Sequence, residues 1–409
     1  MHRSVCRNRT VRMMLSVCAV VFAVYIVGCT NEMHDSSLIN PLAATQISNL
    51  EKHGVPSLSQ VILDANTSGY SAQNIDANLE NAWGIAVTPT GKIWISANHS
   101  GLSVIYDSNG VTQRPPVTIP SEGSSTGGAP TGVIFNSTTD FVIPSTGEVS
   151  RFIFASEDGI ISAWSSGSGA VNVADRSASG AVYKGIAFAY QDGHPFLYAT
   201  NFRKSAVDVF DEKFQYVPTV TFSDPGIPAG YGPFGIQAIG GNLFVTYAKL
   251  LGPDSVDDEK GLGNGYVDVY RPNGKLLVRF ASRGTLNSPW GIVQVPGEGL
   301  GEFKSAILIG NFGDGRINVF SKEGQFIGQL SDQKKNPITI EGLWGLSFGV
   351  AGIMTENDIH KGGDNHDGDH GKHDNRNDPM SMGQMNRLFF TAGPNDENDG
   401  EFGYLTNLH

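Results

Sequence analysis

The sequence NSPWGIVQVPGEGLGEFKSAILIGNFGDGRINVFSKEGQFIGQL, residues 287–330, contains four short apolar runs separated by turn-forming residues. Each run is rich in Val, Ile, Leu and Phe and is as long as a β-strand, so each predicts a strand. Four strands joined by short turns predict one antiparallel sheet. Its strands are expected at Gly291–Val295, Ala306–Gly310, Arg316–Phe320 and Gln325–Leu330.

Most of the chain repeats this unit. At six places a residue, often aromatic, is followed by a glycine and an apolar residue, and these glycines are Gly84, Gly132, Gly185, Gly235, Gly291 and Gly345. Subtracting their numbers gives spacings of 48, 53, 50, 56 and 54 residues. A fixed period of about 50 residues is typical of β-propeller blades. The sequence therefore predicts an all-β fold, a six-bladed β-propeller with four-stranded antiparallel blades, over residues 58–409.

The ring of blades has to close, because an open ring would leave an unpaired sheet edge exposed. The apolar run Val61–Leu63 precedes the first repeat and belongs to no blade of its own. We expect this N-terminal strand to form the outer strand of the last blade, beside Phe402–Leu405.

The first 29 residues have the features of an export signal. Four Arg precede an apolar run, Met13–Val27, that is short for a transmembrane helix. The run ends in Val27-Gly28-Cys29, which matches a bacterial lipobox with Cys29 as the lipidated residue; an ordinary cleaved signal is the alternative. We predict a signal peptide over 1–29, a flexible tether over 30–57 and an exported cell-envelope lipoprotein, at the outer membrane if the host is Gram-negative.

Charge and cysteine content limit the possible partners. All three Cys lie in the signal segment, so the mature chain would have no disulfide. Loss of its four Arg leaves 28 − 4 = 24 basic against 40 acidic residues, a net charge of −16 with His neutral. This balance argues against nucleic acid and anionic membrane as partners. We expect a monomer that contacts the membrane only through its lipid anchor.

One segment interrupts the last blade. Residues 355–384 are polar and rich in Asp, Gly, His and Asn, and they lack the apolar residues that would order them. We expect a disordered surface insertion. Its histidines could bind Zn²⁺ or Ni²⁺ opportunistically or simply be solvated; they are His360, His366, His370 and His373.

Polar residues end the second strand of several blades. Because strands one and two are antiparallel, the start of the first and the end of the second share one sheet edge beside the channel. We expect one channel mouth to be ringed by residues that precede the repeat glycines, namely Trp83, Lys184, Phe234, Trp290 and Trp344. The strand ends and following loops should join them, which adds Asn98, Glu157, Asn201, Tyr247, Asp257, Asp258, Asn311, Asn395, Asp396 and Glu397.

Amide and carboxylate oxygens that converge on an axis suit Ca²⁺. The predicted ligands are Glu157, Asn201 and Asn311, with Asn98 beside them. The alternative is that these side chains hydrogen-bond the backbone of turns, as Asn often does after a strand. The aromatic residues should pack between blades, or else offer a stacking platform to a ring-shaped ligand such as a sugar. No catalytic residue is predicted, since the G-x-S-x-G match at 123–127 lies in a polar loop.

Ten strings in the chain resemble an exported, uncharacterised bacterial family. Among them are APTGVIFN (129–136), FIFASEDGIISAW (152–164), GNFGDGRINVF (310–320) and LFFTAGPN (388–395). The resemblance spans about residues 58–405 and implies a six-bladed propeller with no established activity. The blades are also distantly similar to NHL-repeat and gluconolactonase-like propellers. The latter resemblance implies a divalent cation at the channel mouth, with Glu157, Asn201 and Asn311 in comparable positions.

Two main functions are consistent with these features. The first is a binding module that presents the channel mouth to a small molecule or a protein. The alternative is a Ca²⁺-dependent lactonase or related hydrolase, in which the cation polarises a carbonyl and Glu157, Asp257 or Asp258 moves the proton. Metal capture by the His-rich insertion is a third possibility. Whether the protein is an enzyme stays open at this point.

Overall fold

The computed structural model describes residues 57–297, 300, 303–349 and 387–407. This part of the chain is built from 26 β-strands and two short 3-10 turns. It contains no helix that is both long and apolar enough to span a membrane. The predicted signal peptide, nearly all of the tether and the His-rich insertion lie outside the described residues.

The strands form six blades, in agreement with the repeat, and one additional two-stranded sheet. The chain begins with β1 (Leu58–Ala65) and β2 (Asn74–Ile75), which belong to the last blade. Blade 1 consists of β3 (Ala82–Val87), β4 (Ile93–Ala97), β5 (Leu102–Tyr106) and β6 (Val117–Thr118). A small hairpin follows, with β7 (Pro120–Ser121) and β8 (Ser124–Gly127). Blade 2 consists of β9 (Pro130–Phe135), β10 (Phe152–Ser156), β11 (Ile160–Trp164) and β12 (Val171–Asp175).

The second half of the chain continues the pattern. Blade 3 has β13 (Tyr183–Gln191), β14 (His194–Asn201) and β15 (Ala206–Phe210). Blade 4 has β16 (Tyr231–Ile239), β17 (Asn242–Lys249), β18 (Gly265–Tyr270) and β19 (Leu276–Ser282). Blade 5 has β20 (Pro289–Gln294), β21 (Ile307–Asn311), β22 (Ile317–Phe320) and β23 (Phe326–Gln329). Blade 6 begins with β24 (Leu343–Ser347), β25 (Arg387–Ala392) and β26 (Glu401–Asn407).

The six sheets close into a ring. The first strand of each blade contacts the first strand of the next, and β24 contacts β3. This arrangement confirms the six-bladed propeller. Because each blade is covered on both faces by its neighbours, its inner strands are apolar on both faces, as the Ile307–Asn311 strand illustrates.

Two blades differ from the four-stranded pattern. Blade 3 has three strands, and the irregular segment after β15 packs its apolar side chains where a fourth strand would lie, through Val217, Val220, Phe222 and Ile227. Blade 6 has five strands because both N-terminal strands join it. In β1, Val61 pairs with Tyr404 of β26, which confirms the predicted closing strand. The short β2 then adds in parallel outside β1.

The repeat glycines bring the inner strands very close together. A Cβ atom on Gly84 would lie 2.3 Å from the Thr131 carbonyl oxygen of blade 2. On Gly235 it would lie 2.0 Å from the carbonyl oxygen of Trp290, which precedes the repeat glycine of blade 5 as Thr131 does in blade 2. Equivalent clashes recur around the ring, and at Gly345 the backbone of Trp83 is 2.8 Å away. The glycines are therefore required by the packing of one blade on the next.

Buried threonine hydroxyls join neighbouring blades at the same level. Thr131 Oγ1 donates to the Tyr183 carbonyl at 2.9 Å, which links blades 2 and 3. Thr200 Oγ1 donates to the Phe234 carbonyl at 2.7 Å, which links blades 3 and 4. Thr391 of blade 6 also donates to the backbone of blade 1, so the same type of bond crosses the point of closure.

Aromatic side chains fill one end of the central channel. Trp344 is stacked between Trp83 and Phe312, with ring centroids 3.7 Å and 3.8 Å away. Trp290 and Phe234 pack against the edge or face of the same ring, and Phe202 contacts Phe234. We call this cluster the aromatic plug; its members are Trp83, Phe202, Phe234, Trp290, Phe312 and Trp344, all buried.

Little space remains in the channel below the plug. Its cavity measures about 50 Å³ and is lined by five of the six repeat glycines and by the apolar residues that follow the glycines, including Ile85, Val133, Ile186, Ile236, Ile292 and Leu346. Small-molecule pockets are usually ~300–1,000 Å³. The channel interior is therefore too small for such a ligand, and any binding at the axis has to occur at its mouth.

The glycine ring can be tested by adding one methyl group. We expect Gly235→Ala to lower the free energy of unfolding by about 1–3 kcal/mol or more, because the new Cβ would clash with a backbone carbonyl that has little freedom to move. Gly69→Ala is the matched control, since nothing lies within 4 Å of a Cβ there. Urea denaturation of both variants measures the difference. Equal effects would show that the inner strands tolerate a wider ring.

Candidate functional site

A β-bulge at the repeat glycine sets which side chains face the channel mouth. In blade 1, Ala82 pairs with Ala97 and Ile85 with Ile95, so the first strand carries one extra residue. The same irregularity occurs in all six blades. Residues paired at the position of Ala97 are therefore equivalent, and they are Ser156, Asn201, Tyr247, Asn311 and Ala392. Asn98 and Glu157 each lie one residue after this equivalent position in their own blades.

This offset corrects three of the predicted mouth residues. A shift of one residue turns a strand side chain to the opposite face. Asn201, Tyr247 and Asn311 therefore face their own blades, and the residues after Asn201 and Asn311 enter the aromatic plug as Phe202 and Phe312. The sequence predicted one ring of polar residues at the ends of the second strands. In the structure, Asn98 and Glu157 face the mouth, whereas Asn201, Tyr247 and Asn311 face their blades.

The contacts of these three residues are structural. Asn201 Oδ1 accepts a hydrogen bond from Val182 N–H at 3.2 Å, and its amide nitrogen donates to Asp208 at 3.1 Å. Asn311 Nδ2 donates to the Thr285 carbonyl at 2.8 Å. These bonds match the turn-capping alternative.

Tyr247 is turned into its blade as well. Its hydroxyl lies 2.8 Å from that of Tyr270, in a buried pair. Neither hydroxyl faces the channel mouth, so Tyr247 belongs to the packing between blades.

Blades 1, 2 and 3 supply the polar centre of the mouth. The Lys184 side chain is only 4% exposed and forms an ion pair with Glu157 Oε1, while its ammonium lies 5.0 Å from the centre of the Trp83 ring. Asn98 Nδ2 donates to the other Glu157 oxygen at 3.1 Å. Both oxygens of Glu157 are therefore occupied by protein donors. Three predicted mouth residues, Asn98, Glu157 and Lys184, do come together.

Blade 6 contributes Glu397 from the opposite side of the plug. Asn81 Nδ2 donates to Glu397 Oε2 at 2.8 Å, and Asn81 Oδ1 accepts from Trp344 Nε1 at 3.0 Å. Asn81 Nδ2 also donates to Asn98 Oδ1 at 3.4 Å. A continuous chain of hydrogen bonds therefore runs from Glu397 through Asn81, Asn98 and Glu157 to Lys184. Burial raises the pKa of Glu397, and Asn81 and the two nearby lysines oppose that rise.

Glu397 is held in an unusual backbone conformation. Asn395, Asp396 and Glu397 have φ values of 57°, 49° and 67°, three consecutive non-glycine residues in the left-handed region. Each costs roughly 1–2 kcal/mol. The turn is anchored by Asp399, which accepts hydrogen bonds from Tyr70 at 2.7 Å and Asn66 at 3.1 Å. Such outliers cluster at functional sites.

The long loop of blade 4 brings two more charges to the mouth. Asp258 pairs through its backbone with Leu250, a member of the buried cluster around the plug. Burial raises the pKa of Asp258, and Ser288, Lys184 and Lys260 oppose that rise. Its Oδ2 atom is buried and has no hydrogen-bond partner among the described residues. Asp257 is exposed on the same loop.

Lys260 was not singled out in the sequence. It is exposed, and its ammonium lies 4.3 Å from the centre of the Phe312 ring. It lowers the pKa of both Asp258 and Glu397 by electrostatic attraction. The mouth therefore collects three carboxylates and two ammonium groups above the aromatic plug; we call this set the mouth cluster, Glu157, Lys184, Asp258, Lys260 and Glu397.

The predicted Ca²⁺ site stays a prediction. Of its three ligands, only Glu157 faces the mouth, and its oxygens are held by Lys184 and Asn98. Within the described part of the chain, no group of three His, Cys, Asp or Glu side chains could hold a metal ion. The aromatic residues are too deeply buried to serve as a stacking platform for a sugar.

The ion pair of Lys184 can be tested by removing its partner. We expect Glu157→Gln to lower the free energy of unfolding by about 2–3 kcal/mol, since a buried ammonium loses its counter-charge. Lys184→Met in the same chain should recover most of this loss. Glu259→Gln is the control, because the Glu259–Lys249 pair is 43% and 38% exposed and should contribute about 0–1 kcal/mol. Equal losses in urea denaturation would contradict the buried pair.

Comparison with solved structures finds distant similarity to two enzymes. A catalytically inactive virginiamycin B lyase from Staphylococcus aureus with quinupristin has 14% sequence identity and a TM-score of 0.45, over 86% of this chain and 99% of the lyase. A gluconolactonase from Xanthomonas campestris has 12% identity and a TM-score of 0.46, over 81% and 87% of the two chains. At these levels the comparisons carry no information about activity.

Comparison with known sequences identifies relatives in a virus. No family model matches the chain. Uncharacterized protein L690 of Acanthamoeba polyphaga mimivirus is 32% identical over 292 residues, which cover 68% of this chain and 75% of the viral protein. Uncharacterized protein R648 of the same virus is 31% identical over 289 residues, 68% and 70% of the two chains. The bacterial family expected from the sequence has no support here, and the chain belongs to the family of these uncharacterised mimivirus proteins.

Proposed function

We propose that this protein is a membrane-anchored extracytoplasmic binding module that receives a positively charged group of a small molecule or protein at the mouth cluster. The observation that carries the proposal is the arrangement of Asp258 and Glu397 beside the sealed channel. Both are largely buried carboxyls whose pKa is raised by burial, and Asp258 Oδ2 has no partner among the described residues. An ammonium or guanidinium group at the mouth would add a positive charge beside both carboxyls.

Charge balance at the mouth supports a cationic ligand. Three carboxylates face two ammonium groups, and Lys184 is already paired with Glu157. Lys184 and the exposed Lys260 both attract Asp258 and Glu397, but Lys184 also compensates Glu157, so within the mouth cluster two positive charges serve three carboxylates. The predicted charge of −16 on the mature chain would also attract a basic partner over longer distances.

Two other features favour binding at the surface over binding within the channel. The aromatic plug blocks access from the mouth, and the cavity below it is only about 50 Å³. The loops of blades 4 and 6 that carry Asp258 and Glu397 stand around the plug. A ligand would thus rest on the rim, as expected for a binding module. The lactonase alternative gains no specific support, since Glu157 is engaged in an ion pair with Lys184 and a hydrogen bond from Asn98.

Binding can be followed with the five tryptophans of the chain. We expect butylamine and butylguanidine to shift the indole ¹⁵N–¹H signals of Trp344 and Trp83, which contact the mouth network. Trp94 and Trp164 lie away from it, between blades 1 and 2, and serve as internal controls. Glu397→Gln should weaken binding roughly tenfold, because a charge-assisted hydrogen bond is lost. Affinity should rise with pH as Glu397 ionises.

The size-matched anion butyrate and the exposed variant Glu122→Gln are the controls for this experiment. Butyrate should leave the Trp344 and Trp83 signals unchanged, and Glu122→Gln should bind the cations as the unmodified chain does. If the cations leave both signals unmoved, or if butyrate moves them equally, the proposed ligand chemistry is wrong.

Export and anchoring are a separate part of the proposal. Cys29 lies outside the described residues, and its lipobox motif is what supports lipidation. We expect the full chain expressed in a bacterial host to sediment with membranes and Cys29→Ser to abolish this, because stable anchoring depends on acyl chains. Fractionation with immunoblotting measures the outcome. Membrane association that survives in Cys29→Ser would contradict the lipid anchor.

A further inference from the structure

The strands that close the ring carry buried carboxyl groups with few compensating charges. Asp64 of β1 is only 1% exposed, and its Oδ2 atom has no hydrogen-bond partner among the described residues. The turn of blade 1 at Gly110 packs closely against this carboxyl, since a Cβ added to Gly110 would lie only 2.3 Å from Asp64 Oδ2. The acidic side chains of Asp76 and Asp107 are close enough to repel its charge. Ring closure therefore buries Asp64 in an acidic environment.

A second buried carboxyl lies at the same end of this strand pair, on β26. Glu401 opens β26, is 7% exposed and pairs through its backbone with Ala65, next to Asp64. Its acidic neighbours are Glu341, which precedes β24, and Asp399, which precedes Glu401. We call the set Asp64, Asp76, Asp107, Glu341, Asp399 and Glu401 the closing seam.

Positive charge is scarce at the closing seam. Arg387 of β25 lies on the same blade, but its guanidinium donates to the Ser108 carbonyl at 2.7 Å and packs 4.2 Å from the centre of the Tyr404 ring. Among the described residues, none of the six seam carboxyls forms an ion pair. Asp76 and Asp399 accept hydrogen bonds from Tyr106 and Tyr70. Asp64 Oδ2 has no such partner in the described part of the chain, and the Asn74 side chain is the polar group that favours the charged form of Asp64.

We propose that the closing seam is a proton-operated latch: the ring is most tightly closed when Asp64 and Glu401 each hold a proton, and it loosens when both ionise. A protonated Asp64 brings no charge into the seam and gains an O–H donor. An ionised Asp64 places a buried negative charge next to Asp76 and Asp107, and no Lys or Arg of the described segments forms an ion pair with it. Ionisation would therefore destabilise the pairing of β1, the strand that joins the two ends of the ring.

The titration behaviour of these groups agrees with the geometry. Burial, with repulsion from Asp76 and Asp107, raises the pKa of Asp64 to about 7, and the Asn74 side chain opposes that rise. Burial, with repulsion from Glu341 and Asp399, raises the pKa of Glu401 to about 7. Because both folded-state values lie above the unfolded ones, these groups stabilise the fold at low pH. Their contribution to the free energy of unfolding falls as pH rises from about 4 to about 7. Above about pH 7 these two groups cause no further change in stability.

The latch is connected to the mouth cluster. Asp399 of the seam accepts hydrogen bonds from Tyr70 and Asn66, which follow β1, and it anchors the left-handed turn that carries Glu397. Loosening of β1 would therefore release the support of a mouth carboxylate. The latch itself does not depend on the proposed ligand, so its test needs none.

The test compares melting temperatures of Asp64→Asn and Glu401→Gln with the unmodified chain between pH 4.5 and 8. Each substitution mimics the protonated group. We expect the difference, variant minus unmodified, to be near zero at pH 4.5 and to grow to roughly 3 °C or more at pH 8. Asp192→Asn and Glu122→Gln, at exposed positions, are matched controls whose differences should not change with pH.

A difference that is the same at every pH would overturn the latch, whatever its sign. If a seam variant fails to fold, the unmodified chain provides the answer through ¹³C titration of its Asp and Glu side-chain carboxyls. Two carboxyls that titrate near pH 7, and amide protection factors in β1 that fall over the same range, support the proposal. Titration of all carboxyls below pH 5 would overturn it.

Discussion

Close contact between glycines and the backbone of the neighbouring blade is the constraint on which the whole ring depends. Six first strands meet around one axis, and only a residue without Cβ allows a carbonyl of the next blade to approach within the distances observed at Gly84 and Gly235. Threonine hydroxyls then satisfy the buried backbone groups at the same level, with Thr200 donating across to blade 4. Side chains larger than hydrogen at these positions would widen the ring.

A ring this narrow leaves space only for side chains. The residues before the glycines converge on the axis, and their aromatic rings stack into a plug centred on Trp344. Sealing the channel changes what the molecule offers to a ligand, because polar groups can gather only above the plug. Lys184 is the exception that enters the buried layer, and it does so with Glu157 and the face of Trp83 as compensation.

Ring closure and the mouth are structurally coupled in blade 6. The N-terminal strand supplies Asn66 and Tyr70, these hold Asp399, and the same loop places Glu397 against Asn81. The strain of the left-handed turn at 395–397 is thus supported by the element that closes the ring. Such a connection gives the closing strand a role in shaping the mouth, in addition to joining the two ends of the propeller.

The number of blades and most strand positions could be predicted from the sequence, because strand length and turn residues are local properties and the 50-residue repeat counts the blades. The partner of the closing strand followed from the need of the ring to close. The sequence also indicated which residues precede the glycines and reach the axis. The rest of the site depends on how the strands pair and pack in three dimensions. A bulge in each first strand sets the pairing, and an offset of one residue turned Asn201, Tyr247 and Asn311 into their blades while Asn98 and Glu157 stayed at the mouth. The burial of Asp64 and Glu401 likewise arises only where residues more than 300 positions apart are packed together, which no local pattern encodes.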